Sequence, residues 1–227
     1  MKNKLIKFFL IFGLIIIPLT ALKATSDTSN ETLFVAKDEI ISGNLIAAGE
    51  SIIVDGTISG DLIVAAQSLV VSGRVEGDIL ALSQEIEIKG EIGGNVRVFG
   101  DSVNIDSNIT RNLNAFGSNI TIGENTRVGW DVLTVSISSA RIRGNIYGSL
   151  SAYGQKIFLA GKIGKNADIK NFGQNQGLTI AKETVINGDL NYSAKIPANI
   201  ADGANISGQT NYQEIQEEEK TSFSTWA

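Results

Sequence analysis

The chain has no cysteine and no histidine, and only 7% of its 227 residues are aromatic. Without cysteine there is no disulfide framework and no thiolate metal site. Without histidine the histidine-based acyltransferases, a class known on β-helical folds, lose their general base. Positive charge is also in short supply: 19 Lys and Arg against 24 Asp and Glu give a net charge of −5, with no basic stripe. That balance argues against a nucleic-acid partner. What the chain does have is apolar content of 43%, enough for a buried core, carried mostly by Val, Ile and Leu. Such a mix favours strands over helices.

The N-terminus reads as an export signal. Lys2, Lys4 and Lys7 precede an uncharged, strongly apolar run over residues 8–22, broken near its end by Pro18. Ala21-Leu-Lys-Ala24 then offers small residues for cleavage. The run is shorter than the roughly 20 residues of a spanning helix, which leaves a cleaved signal peptide or an uncleaved signal anchor over residues 1–24. Both place the remainder outside the cytoplasm. Residues 25–32 are a polar linker, and residues 213–227, with Glu214, Glu217, Glu218 and Glu219, form an acidic tail read as solvated and frayed.

Between these segments the dominant signal is repetition. Gly43-Asn44, Gly60-Asp61, Gly77-Asp78 and Gly94-Asn95 recur every 17 residues, and Arg111-Asn112 keeps the register without the glycine. Looser copies follow at Trp130-Asp131, Gly148-Ser149, Lys165-Asn166, Gly188-Asp189 and Gly208-Gln209. Each copy carries the same apolar set: Ile58, Leu62, Val64, Leu69 and Val71, then Val75, Ile79, Ala81, Ile86 and Ile88, then Ile92, Val96, Val98, Val103 and Ile105. Pairs separated by one residue are the mark of a strand with one buried face. Gly, Ser, Asn or Asp after each pair turns the chain. The pattern advances without reversing, which predicts an all-β, single-domain parallel β-helix over residues 33–212. It has three sides, about 17 residues per turn, three short strands per turn, and nine or so turns stacked about 4.8 Å apart. Residues 123–145 and 171–177 carry extra residues and are expected at corners.

The run Ile58-Ser-Gly-Asp-Leu-Ile-Val-Ala-Ala-Gln-Ser-Leu-Val-Val-Ser-Gly73 resembles the repeat of the bactofilins, polymer-forming cytoskeletal proteins of bacteria. The resemblance covers roughly residues 33–212. It implies a right-handed coil that polymerises end to end without nucleotide, and it brings no catalytic motif. Typical bactofilins are cytoplasmic and lack an export signal. The chain in this respect resembles exported or membrane-linked variants, which points to the cell envelope.

Two other chemistries are open to these residues. Asp61 and Asp78, flanked by Asn44 and Asn95, should stack on neighbouring turns and could offer oxygen ligands to a cation, or they could simply stabilise tight corners. Glu85, Glu87, Glu91, Asp101 and Asp106 are the carboxylates a lyase or glycosidase would need gathered in a cleft, but their outward spacing fits a solvated face. No catalytic, cofactor or metal residue is therefore assigned.

Outward apolar residues carry the functional reading. Ile46, Ile63 and Leu80 form one stripe, Ile53 and Val70 a second, and Phe99, Phe116, Val135 and Tyr153 a further ladder. The first strand, Leu33, Phe34 and Val35, has only a short polar segment before it. A β-helix end without a cap is an open template, so Leu33, Phe34, Val35, Ile46, Ile63 and Leu80 are the expected assembly interface, with N-terminal end-to-end pairing as the primary contact. The leading expectation is a non-enzymatic, self-assembling scaffold of the envelope, its partners being further copies of itself and the cell wall or membrane. The alternative is a monomeric β-helix that binds cell-wall or surface polysaccharide.

Overall fold

A computed structural model describes residues 32–215, Gln176 apart. Thr32, expected in the linker, is already in a strand, while the signal expected at residues 1–24, residues 25–31 of the expected linker and the end of the acidic tail lie outside the described residues. Within them the fold is a β-solenoid of parallel strands, with about 17 residues per turn and no helix. The strand over Val96–Ile105 shows why: Val96, Val98, Val103 and Ile105 are buried, and Arg97, Asp101 and Asn104 are exposed between them. The next copy, Leu113–Ile122, lies directly on it, so Val98 meets Ala115 and Val103 meets Ile120. One turn alone could not cover these side chains; each is shielded by the turns above and below.

The strands are not three equal pieces. In the first six copies a ten- or eleven-residue strand bends round one corner and covers two faces, and a two-residue strand covers the third. We number the faces in chain order within a turn. The first face takes 45–49 and its copies, the second 51–54 and its copies, and the third Ile58's strand and its copies. The bend falls at Gly49, Ala66, Ser83, Gly100 and Gly117, small residues beside which the ladder skips one or two positions before it resumes on the second face. From Leu150 onward the two faces separate into distinct strands, Leu150–Gly154 and Lys156–Leu159.

The larger sheet follows a path of eleven strands, of which Thr32–Val35 lies only on the second face and Thr210–Glu214 only on the first. Each face is consequently ten strands deep, one more turn than the nine or so expected, and the rod is roughly 43 Å long. Strands begin at Thr32 and end at Glu214, so Gln213 and Glu214 belong to the solenoid and not to the tail.

The extra residues sit at corners. Between the second and third faces most corners use two residues, but 36–39, 123–126, 181–184 and 201–204 use four, each closed by a backbone bond from the fourth residue to the first at 2.8 to 3.2 Å. Thr126 and Thr184 are fully buried in two of these corners, where their hydroxyls donate to the carbonyls of Ile105 and Leu159, both at 2.8 Å. The 171–177 insertion lies at the corner after Ala167–Asn171, and buried Asn171 holds it by donating to the carbonyls of Gly154 and Gln155 at 3.2 and 2.9 Å.

Candidate assembly interface

Asx side chains at the corner before the first face form a continuous ladder. The Oδ1 of Asn44 accepts the backbone N–H of Asp61 at 2.8 Å, Asp61 that of Asp78 at 2.8 Å, and Asp78 that of Asn95 at 2.7 Å. Asn95, Asn112 and Asp131 continue it to Ser149. Each side chain thus satisfies a backbone donor of the next turn that the bend takes out of the ladder. The 17-residue spacing of Asp61 and Asp78 is explained by this corner role, with one oxygen of Asp61 and both of Asp78 already engaged. Burial alone would raise the Asp78 carboxyl pKa, but hydrogen bonds from the Asn95 backbone and side chain and from Arg97 outweigh it and hold it below the ordinary 3.8. The preceding glycine is needed for close stacking: a Cβ on Gly77 would run into the Asp61 carboxylate and the Gly60 backbone. Where that glycine is replaced, Arg111 and Trp130 stack instead, the guanidinium 5.9 Å from the ring centroid.

The outward columns differ along the rod. On the first face Ile46, Ile63 and Leu80 stand in register, followed by Arg97 and Asn114. The neighbouring column reads Ala48, Ala65, Leu82, Phe99, Phe116, Val135, Tyr153. Phe99 and Phe116 stack with centroids 4.7 Å apart and planes 6° from parallel. Ile46, Leu80 and Leu82 are exposed, and Ile63 is half-buried. The two ladders read separately in the sequence are one continuous apolar stripe, joined by Leu82. Its signal was present, since Leu82, Phe99 and Phe116 are 17 apart. Beyond Tyr153 the same columns turn polar, with Asp168, Asn191 and Asn211 in one and Lys170, Ser193 and Gln213 in the other.

The two ends differ as well. At the N-terminal end Phe34 is outward and 55% exposed, and it stands on Ile53 and Val70. It therefore heads the second-face stripe and not that of Ile46. Val35 is not a surface residue: it is 3% exposed, and its column continues into Val54. Leu33 faces the core column of Ile52 but is left 36% exposed by the end of the coil. Ile41, Leu45 and Ala47 are also in core columns and are only partly covered, whereas Ile58 and Leu62 one turn further in are fully buried. At the C-terminal end the first-face core columns finish on Thr210, Tyr212 and Glu214, all exposed, and those of the second and third faces on exposed Ile200 and half-buried Ile206. Tyr212 stacks on Tyr192 at 5.0 Å and donates its hydroxyl to the Ala194 carbonyl at 3.2 Å. Burial, then Glu214 and Tyr192, push its pKa up.

Comparison with family models, curated proteins and solved structures finds no match. The interface has to be judged on its own chemistry. Among the described residues no cluster of three or more His, Cys, Asp or Glu has metal-holding geometry. Glu85, Glu87, Asp101 and Asp106 are spread over the second face and its corners, and Glu91 lies on the third face. What the geometry gathers is apolar surface along the early part of the first face and at the ends, most of it at the N-terminal one.

Proposed function

We propose that the chain is an exported, bactofilin-like, non-enzymatic scaffold of the cell envelope that assembles with copies of itself through the ends of its coil. The observation that carries this reading is the N-terminal end, where Leu33, Ile41, Leu45 and Ala47 leave the core columns partly open to solvent. Exposed apolar surface contiguous with unpaired strand edges favours pairing with another strand. Self-assembly needs no nucleotide in this reading, and the cell wall or membrane is the further partner. Sedimentation velocity and negative-stain microscopy of the purified protein test it. Filaments or high-mass species are expected, and a protein that stays monomeric at high concentration overturns it. Location is checked separately on protein from the native host. It should begin near Thr25, or remain membrane-bound with Met1 intact. Full-length, soluble cytoplasmic protein would sink the export reading.

One observation favours the second reading, a polysaccharide-binding module. Tyr153, Asp168, Lys170, Asn191 and Asn211 line a shallow groove at the C-terminal part of the first face. Its polar groups are already partly paired, Asn191 donating to Asp168 at 2.8 Å and Asn211 to Asn191 at 2.9 Å. Retention on cell-wall glycan by a stable monomer would favour this module over the scaffold.

A further inference from the structure

The third face and the corner that follows it change character midway along the rod. In the segments 40–44, 57–61, 74–78 and 91–95 the charged groups are mostly acidic: Asp61, Glu76, Asp78 and Glu91. The one cation among them, Arg74, pairs with Glu76 at 3.6 Å and with Glu91 at 2.8 Å. In the next four turns, over 108–112, 127–131, 145–149 and 162–166, the balance reverses. These segments hold Arg111, Arg127, Lys162 and Lys165 against a single carboxylate, Asp131, one of whose oxygens accepts the Ser149 N–H at 2.7 Å. All four cations are exposed, and among the described residues none has a carboxylate partner.

Two large aromatic side chains lie among these charges. Trp130 is 55% exposed and Tyr147 61%. Backbone bonds from Trp130 to Arg111, from Gly148 to Trp130 and from Lys165 to Gly148 put these four residues at one corner position of successive turns. Tyr147 stands in the neighbouring column, between Gly129 and Gly164. Arg127 and Lys162 flank both rings on the face itself, in one column with Asn145. The column neighbours of Tyr147 on both sides, and of Trp130 on one, are thus glycines, which have no side chain to cover a ring. On its other side Trp130 meets only the Arg111 guanidinium, 5.9 Å from the ring centroid. Neither ring serves the core, which Val128 and Ile146 fill in these turns. The repeat elsewhere places Gly60, Gly77 and Gly94 at the corner position of Trp130, and Ser42 and Ser59 at that of Tyr147.

Exposed rings with uncovered faces suit the apolar side of a ring-shaped ligand. Unpaired guanidinium and ammonium groups around them suit carboxylate or phosphate. Successive turns step by about 4.8 Å, close to the length of one sugar unit, so a chain of charged sugars laid along the rod can meet a ring or a cation at each turn. From this we infer that the patch binds an anionic polysaccharide, its sugars stacked on Trp130 and Tyr147 and its acidic groups held by Arg111, Arg127, Lys162 and Lys165. The site needs no self-assembly, and it lies on a different face from the groove of Asn191 and Asn211.

Calorimetric titration of the full-length protein in mild detergent tests it. Polygalacturonate and a phosphomannan are the anionic polymers, and dextran is the neutral one. Binding of at least one anionic polymer, and not of dextran, is expected, and the tighter of the two identifies the anion. Trp130→Gly, which restores the residue usual at that corner, and Lys162→Glu should each weaken binding by about tenfold or more and melt as wild type. Tyr147→Ser and Lys165→Gln form a second pair, read in the same way should either of the first two fail to fold. Arg74→Ala, on the same face among the acidic turns, should bind as wild type. Failure to bind either anionic polymer, or equal binding of dextran, overturns the inference. Binding that survives in the patch variants but is lost in Asn191→Ala also overturns it, and moves the ligand to the first-face groove. Tighter binding of an oligodeoxythymidylate than of either polysaccharide overturns it in favour of single-stranded nucleic acid. None of these outcomes depends on the sedimentation result that decides self-assembly.

Discussion

The first six or seven turns and the last three are built on the same register, yet they dress it differently. Inside, the columns barely change: Ile79, Val96 and Leu113 in the early turns give way to Leu150, Ala167 and Leu190 later, all buried. Outside, Leu82, Phe99, Phe116, Val135 and Tyr153 are succeeded by Lys170, Ser193 and Gln213. The ends repeat the contrast only on the first face, where partly covered Leu45 and Ala47 at one extreme contrast with Thr210, Tyr212 and Glu214 at the other; on the other two faces both ends are aliphatic, Leu33 and Ile41 against Ile200 and Ile206. Inward positions answer to the fold, and outward ones do not. Apolar side chains that persist for seven turns where folding does not require them are the basis of the proposed contact surface.

The strongest way to break this comparison is to show that the interior differs between the halves. It should not. Ile79→Asp, Ile120→Asp and Leu190→Asp each bury an unpaired charge in a narrow apolar column, at a cost of several kcal/mol. All three should lose β-sheet circular dichroism, while the exposed Gln84→Asp melts as wild type. A folded Leu190→Asp beside an unfolded Ile79→Asp would mean that the last turns are an accessory to the rod and not part of its core.

The outward contrast is sharpened by moving one charge along a single column. Phe34 and Thr121 lie at outward positions on the second face, the first at the open end and the second in mid-rod. Phe34→Lys should weaken self-assembly at least tenfold, about 1.4 kcal/mol, with the melting temperature nearly unchanged. Thr121→Lys should change neither. Sedimentation velocity across a concentration series distinguishes them, and equal effects would point away from the ends as the contact.

Much of this was legible in the sequence, for a physical reason. In a coil of parallel strands the interior is fixed by two short periods, alternation within a strand and the 17-residue turn. Val96, Val98, Val103 and Ile105 therefore announce their burial individually. The corner asparagines and aspartates announce their place as well, because only an Asx oxygen at that spot reaches the next turn's N–H. The long strands were hidden, since Gly100 and Gly117 read as turn residues although their backbone stays in the ladder. The tenth turn was hidden because Thr210, Tyr212 and Glu214 are polar in core columns. The neighbourhood of Phe34 was hidden because register between faces is not written in the periods. Thr32 pairs with Ser51, an offset of 19, and the four-residue corner that produces it shows only in the fold. Val35 was misplaced for the same reason: assigning a first strand to the end of the coil does not say which of its residues points inward.

The Asx ladder offers a comparison of intermediate size. It runs unbroken from Asn44 to the N–H of Ser149, and it resumes from Asn166 to Asp189 and Gln209. Ser149, between these runs, has no carbonyl or carboxylate oxygen in its side chain. Asp78→Ala removes an acceptor that serves the Asn95 backbone and should cost about 1 kcal/mol. Ser149→Asn supplies one to the turn above and should gain a similar or smaller amount. Chemical denaturation reads both. A neutral Asp78→Ala would show that water replaces the ladder at no cost, and the gap at Ser149 would then carry no meaning.

The smallest expected effect concerns pH, and it too falls on the early turns. Asp78 is the carboxylate whose pKa is held below 3.8, against the opposing effect of its burial, by the Asn95 backbone and side chain and by Arg97, whose guanidinium lies 3.0 Å away. A carboxyl that is more acidic folded than unfolded stabilises the fold fully above its unfolded pKa, near 3.9. That contribution is lost as the pH falls through the lower, folded value. Asp78 is about a third exposed, so solvent screens the interaction and the gain stays below about 1 kcal/mol. Asp78→Asn keeps an oxygen for the Asn95 N–H but has no proton to bind. Its stability should therefore match wild type less closely at pH 7 than in acid, with the two curves converging as the pH falls below the unfolded value and through the lower, folded one. Denaturation midpoints measured at pH 7 and in acid decide it. If wild type and Asp78→Asn stay equally far apart at both, the Asp78 carboxylate contributes only as a corner acceptor, and Arg97 is a solvated side chain like its neighbours.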